Sequence, residues 1–352
     1  MKTDPIITHN DRILITGASG YIGPRVVEKM LEYGFSKLRC FVRPSSDITK
    51  LEVIVDKNRD LDIQIIKGNL LKPEDCRRAM DGVDVVYHLA AGTGDKSYPD
   101  AFLNSVVTTK NLLESLKSNR DLKRFVSISS FSVYSSMKIR SGALLDETCS
   151  LESEPQLRYE AYCYGKLKQD ELVMEYSKSS GLPYVIMRPG VVYGPGRSTL
   201  TGRVGTATFG LYLHLGGSNR IPLTYIDNCA DAIAIAGFTA GVEGQIFNIV
   251  DDDLPTAREL LRLYKKNVKS FFSVYVPHPI SYLFCILWEN YSNWSYGQLP
   301  PTFNRRRWGA YWKGNRYSNE KLKNLLEWKQ KVPTDIGLRR YFEFCRETGG
   351  TK

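Results

Sequence analysis

The chain has 352 residues, 42% of them hydrophobic and 24% charged, which is enough apolar material for a large core and too much for a disordered polymer. A formal net charge of +10 admits an anionic ligand or an acidic surface, but Lys and Arg are interspersed with Asp and Glu, so nucleic acid is not implied. Seven cysteines, an odd number without C-x-x-C spacing, suit free thiols in a reducing compartment, and the polar start Met1-Lys2-Thr3-Asp4-Pro5 points to the cytoplasm.

Ile13-Leu14-Ile15 reads as a strand that runs into the glycine-rich turn Thr16 to Gly23. The turn opens a helix in which Val26, Val27, Met30 and Leu31 recur at helical spacing, with Pro24 in the first turn, where a missing N–H costs little. Glycines at a helix N-terminus let the backbone approach a phosphate, so Gly17, Ser19, Gly20, Tyr21, Ile22 and Gly23 are candidate dinucleotide contacts. Leu38 to Arg43 reads as the second strand. An acidic residue about 20 positions past the glycines binds a ribose 2′-hydroxyl, whereas an Arg accommodates a 2′-phosphate. Arg43 stands at that point with Ser45 and Ser46 beside it, so NADP is expected in preference to NAD.

Asp62 to Lys67 is the third predicted strand, Pro73 to Met80 a helix, and Val83 to Ala91 a nearly continuous apolar strand, as burial on both faces requires. His88 within it is expected to be a packed strand residue. Ala101 to Lys117 is helical, Arg124 to Ser130 a fifth strand ending in hydroxyls, Tyr162 to Tyr176 a helix, and Tyr184 to Arg188 a strand before Pro189-Gly190. Alternation of this kind predicts an α/β fold, a doubly wound parallel sheet of the Rossmann type. Residues 1–192 form the expected dinucleotide-binding domain. Beyond Tyr193 glycines multiply, and residues 193–352 are expected to be mostly a substrate-binding lobe, with the strand near 244–250 rejoining the sheet.

In that second part, Asp251-Asp252-Asp253 reads as a solvated turn before a helix at Thr256, and no metal site is expected. Tyr282 to Trp288 falls far short of the roughly 20 apolar residues of a spanning helix, but suits contact with a membrane surface or an apolar substrate. Arg305-Arg306-Arg307, set among Trp308, Tyr311 and Trp312, reads as a solvated or substrate-facing turn.

Tyr162 and Lys166 are four apart on a predicted helix and therefore share a face, while Ser130 ends a strand whose carboxyl edge meets the same cleft. A phenol titrates near pH 10, so a Tyr that exchanges a proton at neutral pH needs its phenolate stabilised by about 4 kcal/mol, to which a nearby ammonium contributes. Tyr164 and Lys168 satisfy the same Y-x-x-x-K spacing.

Thr16 to Gly23, His88-Leu89-Ala90-Ala91, Ser129-Ser130 with Val133-Tyr134, Tyr162 with Lys166, and Arg188 to Gly196 together resemble the extended short-chain dehydrogenase/reductases, also called the NAD-dependent epimerase/dehydratase family. The resemblance runs from Ile13 to Trp328. It implies Tyr162 as catalytic acid or base, Lys166 as its partner and ribose contact, and Ser130 as the substrate-polarising hydroxyl. It favours Tyr162 over Tyr164, because Asp170, Leu172 and Val173 fit the family's flanks only when counted from Lys166. It also implies cofactor contacts from Asn69, Leu70, Leu89, Ala90, Ala91 and Pro189, and substrate contacts from Thr93, Tyr134, Tyr193 and Arg197. The chain departs from the family at Asn69, where an Asp is usual, and at Gly165, where a Ser precedes the Lys. The supporting helical Asn falls on Ser105, with Asn104 beside it.

The expected activity is an NAD(P)-dependent interconversion of a secondary alcohol and a ketone. Pro189-Gly190 resembles the branch of dihydroflavonol reductases and 3β-hydroxysteroid dehydrogenases. A nucleotide-sugar epimerase is the alternative, and a non-catalytic dinucleotide sensor a third reading. The partners implied are a small-molecule substrate and a peripheral membrane contact, and the resemblance admits a homodimer.

Overall fold

The computed structural model describes residues 5–92, 97–116, 122–208, 210–296 and 298–349. Its first half alternates strand and helix: β1 (Ile13–Thr16), α1 (Gly23–Glu32), β2 (Lys37–Val42), α2 (Thr49–Lys57), β3 (Asp62–Lys67), α3 (Pro73–Met80) and β4 (Val85–His88). Then follow α4 (Tyr98–Ala101), a π-helical stretch Phe102–Val107, α5 (Thr108–Ser115), β5 (Arg124–Ile128), the short β6 (Leu144–Leu145), α6 (Ala161–Ser180) and β7 (Tyr184–Pro189).

The second half contributes β8 (Val191–Tyr193), β9 (Gly205–Thr208), β10 (Leu211–His214), β11 (Leu223–Tyr225), α7 (Ile226–Phe238) and β12 (Ile246–Ile249). The chain ends in α8 (Ala257–Asn267), β13 (Ser273–Tyr275), α9 (His278–Trp294), α10 (Arg305–Trp312), β14 (Arg316–Tyr317), α11 (Glu320–Leu326) and α12 (Thr334–Glu347).

Seven strands make one sheet in the order β12-β7-β5-β4-β1-β2-β3, and every pair in it is parallel. Its strands are apolar on both faces because helices cover both. Leu14, Val86 and Phe125 point into one core, whereas Ile13, Ile15, Val85, Tyr87 and Val126 point into the other, as the two-residue period of a strand demands. The expected return to the sheet near 244–250 is β12, which pairs with β7 from Ile246↔Ile186 to Ile249↔Pro189.

Strand order reverses at β1, whose neighbours are β2 on one side and β4 on the other. The loops after β1 and β4 therefore splay apart and leave a crevice at the carboxyl ends of the strands, the place where open α/β sheets bind ligands.

Three expectations are corrected here. The apolar run to Ala91 leaves the sheet at His88, because Leu89, Ala90 and Ala91 turn outward along the crevice. The helix expected from Ala101 starts at Tyr98 and carries a π turn, with Asn104 Nδ2 donating to Asp100 O (2.9 Å) and Thr108 Oγ1 donating to Asn104 O (2.9 Å); Lys117 lies outside the described residues. Asp251 is not solvated but 1% exposed, since the turn folds inward over α7: its carboxylate accepts from Tyr225 N (2.9 Å) and Asn228 Nδ2 (3.0 Å). Asp252 and Asp253 are exposed as expected, and the next step also matches the expectation, where Thr256 and Glu259 form a capping box that opens α8. Among the described residues no cluster of His, Cys, Asp or Glu is arranged to hold a metal, and all seven cysteines are free thiols.

Burial pushes the Asp251 carboxyl up to about 7 from 3.8. A carboxyl raised by folding binds its proton more tightly in the native state, so its contribution to stability is complete below pH 3.8 and is lost as pH rises through 7. Asp251→Asn, which cannot ionise, is expected to flatten the decline of folding stability between those two pH values. Denaturant unfolding of both proteins across that range checks this.

Candidate active site

Gly17, Gly20 and Gly23 build the floor of the crevice, each for a separate steric reason. Gly17 has φ +70°, and a Cβ there would lie 2.8 Å from Ala90 N. Gly20 donates its N–H to Gly17 O at 2.9 Å, closing the turn. At Gly23 a Cβ would come within 2.4 Å of Ala18 O, so only glycine lets the first turn of α1 sit on the loop. The result is a cradle of backbone at a helix N-terminus, open to a cleft of 1330 Å³.

All six candidates of the glycine turn line this cleft, as do Arg43, Asn69, Leu70, Leu89, Ala90, Ala91 and Pro189. So do Ser130, Tyr162 and Lys166. Arg43 is exposed just past β2, and a turn closed by Ser46 N donating to Arg43 O (3.0 Å) brings Ser46 and Asp47 to the same lip; Ser45 stays outside it. An acid therefore does reach this lip, contrary to a reading of β2 alone. Asp47 Oδ1 accepts from Thr49 N (3.0 Å) and Thr49 Oγ1 (2.7 Å), and these bonds hold its carboxyl below the ordinary range. Asn69 caps its own turn, its Oδ1 accepting from Leu71 N at 3.0 Å.

Lys166 is buried, with Nζ donating to Ile128 O at the end of β5 and to Gln169 Oε1 at 2.9 Å. Burial lowers it to about 8, against the pull of Asp170. Ser130 follows β5, and its Oγ accepts from Ser132 N (3.2 Å), which leaves its own proton free to donate. Tyr162, half-buried at the start of α6, is raised above 10 by burial; a hydrogen bond with Ser130 and the charge of Arg197 pull it the other way.

The second Y-x-x-x-K pair is elsewhere. Tyr164 packs edge-on against Tyr98 at 5.5 Å, and Lys168 bonds Glu171 at the surface (2.6 Å). Of the two candidates for the helical polar residue, Asn104 lines the cleft, whereas Ser105 is buried and accepts from Gly92 N at 3.0 Å. The π turn sets that choice. It also explains Gly165, where a Cβ would crowd Ala101 O and Ser105 Oγ, both at 3.2 Å.

Two expected substrate contacts are corrected. Tyr134 is 3% exposed and lies under the cleft floor: its hydroxyl donates to Asn248 Oδ1 (2.7 Å) and the Arg188 guanidinium lies 5.0 Å from its ring. Tyr193, 5% exposed, turns beneath α12, edge-on to Tyr225 and Tyr341 and within 3.4 Å of Asp251 Oδ2. Arg197 does line the cleft, its guanidinium 4.5 Å above the ring of Tyr21; Thr93 lies outside the described residues.

The far end of the cleft comes from residues 158–160 and 203, to which sequence reading assigns no role, and from Arg305–Trp312. The latter, expected as a solvated or substrate-facing turn, is instead the helix α10, capped by Asn304 Oδ1 accepting from Arg307 N. Arg158 pairs with Glu160 (2.7 Å), and Glu160 accepts from Tyr311 of α10 (2.8 Å). Arg203 and Arg307 stand over the Tyr311 ring at 5.6 and 5.8 Å, and Phe303 and Trp312 complete the wall. The one forward signal was the Arg and Trp cluster at 305–312.

A family model described as the NAD dependent epimerase/dehydratase family matches residues 13–249, from the first residue of β1 to the last of β12. The chain belongs to that family. It is 27% identical, over 67% of its length, to a trifunctional UDP-glucose 4,6-dehydratase/UDP-4-keto-6-deoxy-D-glucose 3,5-epimerase/UDP-4-keto-L-rhamnose-reductase of Arabidopsis thaliana, and spans 36% of that protein. It is 29% identical over 52% of its length to cinnamoyl-CoA reductase 1 of Petunia hybrida, and spans 55% of it. Among solved structures, UDP-glucuronic acid 4-epimerase from Bacillus cereus, in complex with UDP-glucuronic acid and NAD, superposes with a TM-score of 0.72 at 22% identity, covering 96% of this chain and 99% of that one. Family membership accounts for the sheet and the crevice, and the fold is that of the epimerase.

Proposed function

We propose that the protein is an NAD(P)-dependent oxidoreductase that interconverts a secondary alcohol and a ketone. One observation carries this reading: Ser130, Tyr162 and Lys166 meet in the same cleft as the glycine cradle. The cradle and the small residues Ala90 and Ala91 fit a dinucleotide, and a bound nicotinamide would supply the hydride acceptor or donor. Gly17, Gly20 and Gly23 would take its diphosphate at the positive end of α1.

Tyr162 gives its proton to the substrate oxygen in reduction and takes one back in oxidation. Ser130, whose oxygen already accepts from Ser132 N, donates its hydrogen to that same oxygen and orients it. Lys166, fixed by Ile128 O and Gln169, places a positive charge along the cleft floor. Incubation with candidate alcohols and ketones, followed by nicotinamide absorbance, tests the reading. Cofactor binding without conversion in a broad substrate screen would favour the sensor instead.

A second reading, nucleotide-sugar epimerisation, is supported by Arg197, Arg203 and Arg307, which line the cleft and whose guanidinium groups match a diphosphate bidentately. An epimerase returns the hydride to its own intermediate. Epimerised sugar with no net absorbance change would establish that reading over the first.

The finer cofactor preference rests on Arg43. Its guanidinium has no ion-pair partner among the described residues and stands at the cleft lip, where a 2′-phosphate would gain about 1.5–3 kcal/mol from a charge-assisted contact. NADP is expected to bind about ten- to a hundredfold more tightly than NAD, and Arg43→Ala to erase the difference. Titration of both cofactors into both proteins decides it. A wild type that prefers NAD would mean that Asp47, not Arg43, governs the lip.

A further inference from the structure

Helix α9 is built inside out. Its buried residues are Ser281, Cys285 and Ser292, whereas Ile280, Leu283, Phe284, Leu287, Tyr291 and Trp294, at helical spacing, are between 48% and 75% exposed. A surface helix ordinarily turns its apolar stripe to the core. Immediately upstream Phe272, Val274 and Tyr275 are exposed as well, with Phe272 at 74%. A run of large apolar side chains on a folded chain marks an interaction surface.

Charge indicates what covers it. Residues 260–319 contain nine Lys and Arg against one acid, Glu289. Arg305 pairs with Glu289 at 2.9 Å and Arg306 with Glu152 and Glu154, and the other seven are in no ion pair among the described residues. Other cations border the apolar face by direct contact: Arg258 lies over the Tyr275 ring at 5.4 Å, and Lys265 reaches Ser273 Oγ at 2.6 Å. Lys266 and Lys269 are exposed beside it. A second copy of the chain would press two such positive surfaces together. An anionic lipid surface reverses the sign of that interaction. Among the described residues no helix is long and apolar enough to cross a membrane, so α9 would lie in the plane of the interface.

We propose that α9, with residues 272–275, is a membrane-docking face for anionic bilayers. The apolar stripe enters the boundary between headgroups and acyl chains, Tyr291 and Trp294 sit at headgroup level, and the flanking Lys and Arg meet lipid phosphates and carboxylates. The cleft opens next to this face. Phe303 lines the cleft and packs against Phe284 (5.6 Å) and Trp288 (5.8 Å), so docking brings the cleft mouth to the headgroup layer.

The test is co-sedimentation of the full chain with phosphatidylcholine vesicles, with and without phosphatidylserine, at low and high salt. Binding is expected only with phosphatidylserine, and weaker at high salt. Leu287→Ser is expected to weaken it about tenfold and Lys269→Ala about fivefold, magnitudes that follow from burial of one aliphatic side chain and from one charge near an anionic surface. Both side chains are exposed, so both variants should keep the wild-type thermal transition and cofactor affinity. Failure of the wild type to sediment with anionic vesicles at low salt overturns the proposal. So does binding that Leu287→Ser leaves intact, or a wild-type dimer that Leu287→Ser converts to monomer without any vesicle binding, which would assign the face to a second copy.

Discussion

Tyr162→Phe is expected to lower kcat by about 10²- to 10⁴-fold, the usual worth of a positioned acid or base, while cofactor affinity stays near the wild-type value. The substitution keeps the ring that lines the cleft and removes only the hydroxyl, whose proton the proposed reaction would transfer. Tyr164→Phe should be silent, because Tyr164 packs on Tyr98 away from the cleft. Burial raises Tyr162 above its ordinary 10, so in the resting site it is a phenol at neutral pH. The sign of the pH dependence follows: reduction, which uses the phenol, should be flat through neutrality and fall only in alkali, whereas oxidation, which uses the phenolate, should rise by up to about tenfold per pH unit. Ser130→Ala removes a group that pulls Tyr162 downward and should move both limbs to higher pH. Steady-state rates in both directions, with cofactor titrations alongside, test all of this. Undiminished turnover by Tyr162→Phe would take the proton transfer away from this residue.

What was legible in the sequence was whatever depends on local order. β3 and α3 have the bounds that the sequence predicts, because β3 is a short run built on Ile63, Ile65 and Ile66 and α3 opens with Pro73 in its first turn. The glycine turn was readable since its three glycines answer to clashes within the turn, α1 and the adjoining β4 loop. Tyr162, Lys166 and Ser130 share a cleft because four-residue spacing on a helix and the end of a parallel strand are both geometric rules. Long-range side-chain choices were not legible. Tyr134 and Tyr193 stand in motif-bearing segments, yet each points under the floor, where Asn248 and Asp251, more than fifty residues on, receive their hydroxyls. Asp251 looked solvated for the same reason, since nothing near it in sequence announces Tyr225 N and Asn228. The wall made by Arg203, Arg307, Tyr311 and Trp312 depends on how α10 docks, which no local pattern encodes. The π turn that selects Asn104 over Ser105 also has no periodic signature at this length.

Asp170→Asn is expected to destabilise the fold by about 3–5 kcal/mol, the cost of leaving one member of a buried ion pair alone. Asp170 sits one turn after Lys166 on α6, and its Oδ2 accepts from Ser129 Oγ (2.8 Å) and Arg188 Nη2 (3.0 Å); the two charged side chains are 0% and 1% exposed. Burial pushes the Asp170 carboxyl up, and the guanidinium opposes it and keeps the pair ionic. Arg188 in turn lies over Tyr134, whose hydroxyl bonds Asn248 of β12. One chain of polar contacts therefore ties α6, which carries Tyr162 and Lys166, to β5, β7 and β12. Asparagine retains an acceptor for Ser129 but strands the Arg188 charge in an apolar site. If the Arg188 charge is what matters, Asp170→Leu combined with Arg188→Met should recover most of the lost stability, because the guanidinium is then no longer stranded. Urea unfolding of the wild type, Asp170→Asn and the double variant measures the loss and its recovery. A single variant within about 1 kcal/mol of the wild type would show that packing alone anchors α6, and the double variant should then be no more stable than Asp170→Asn.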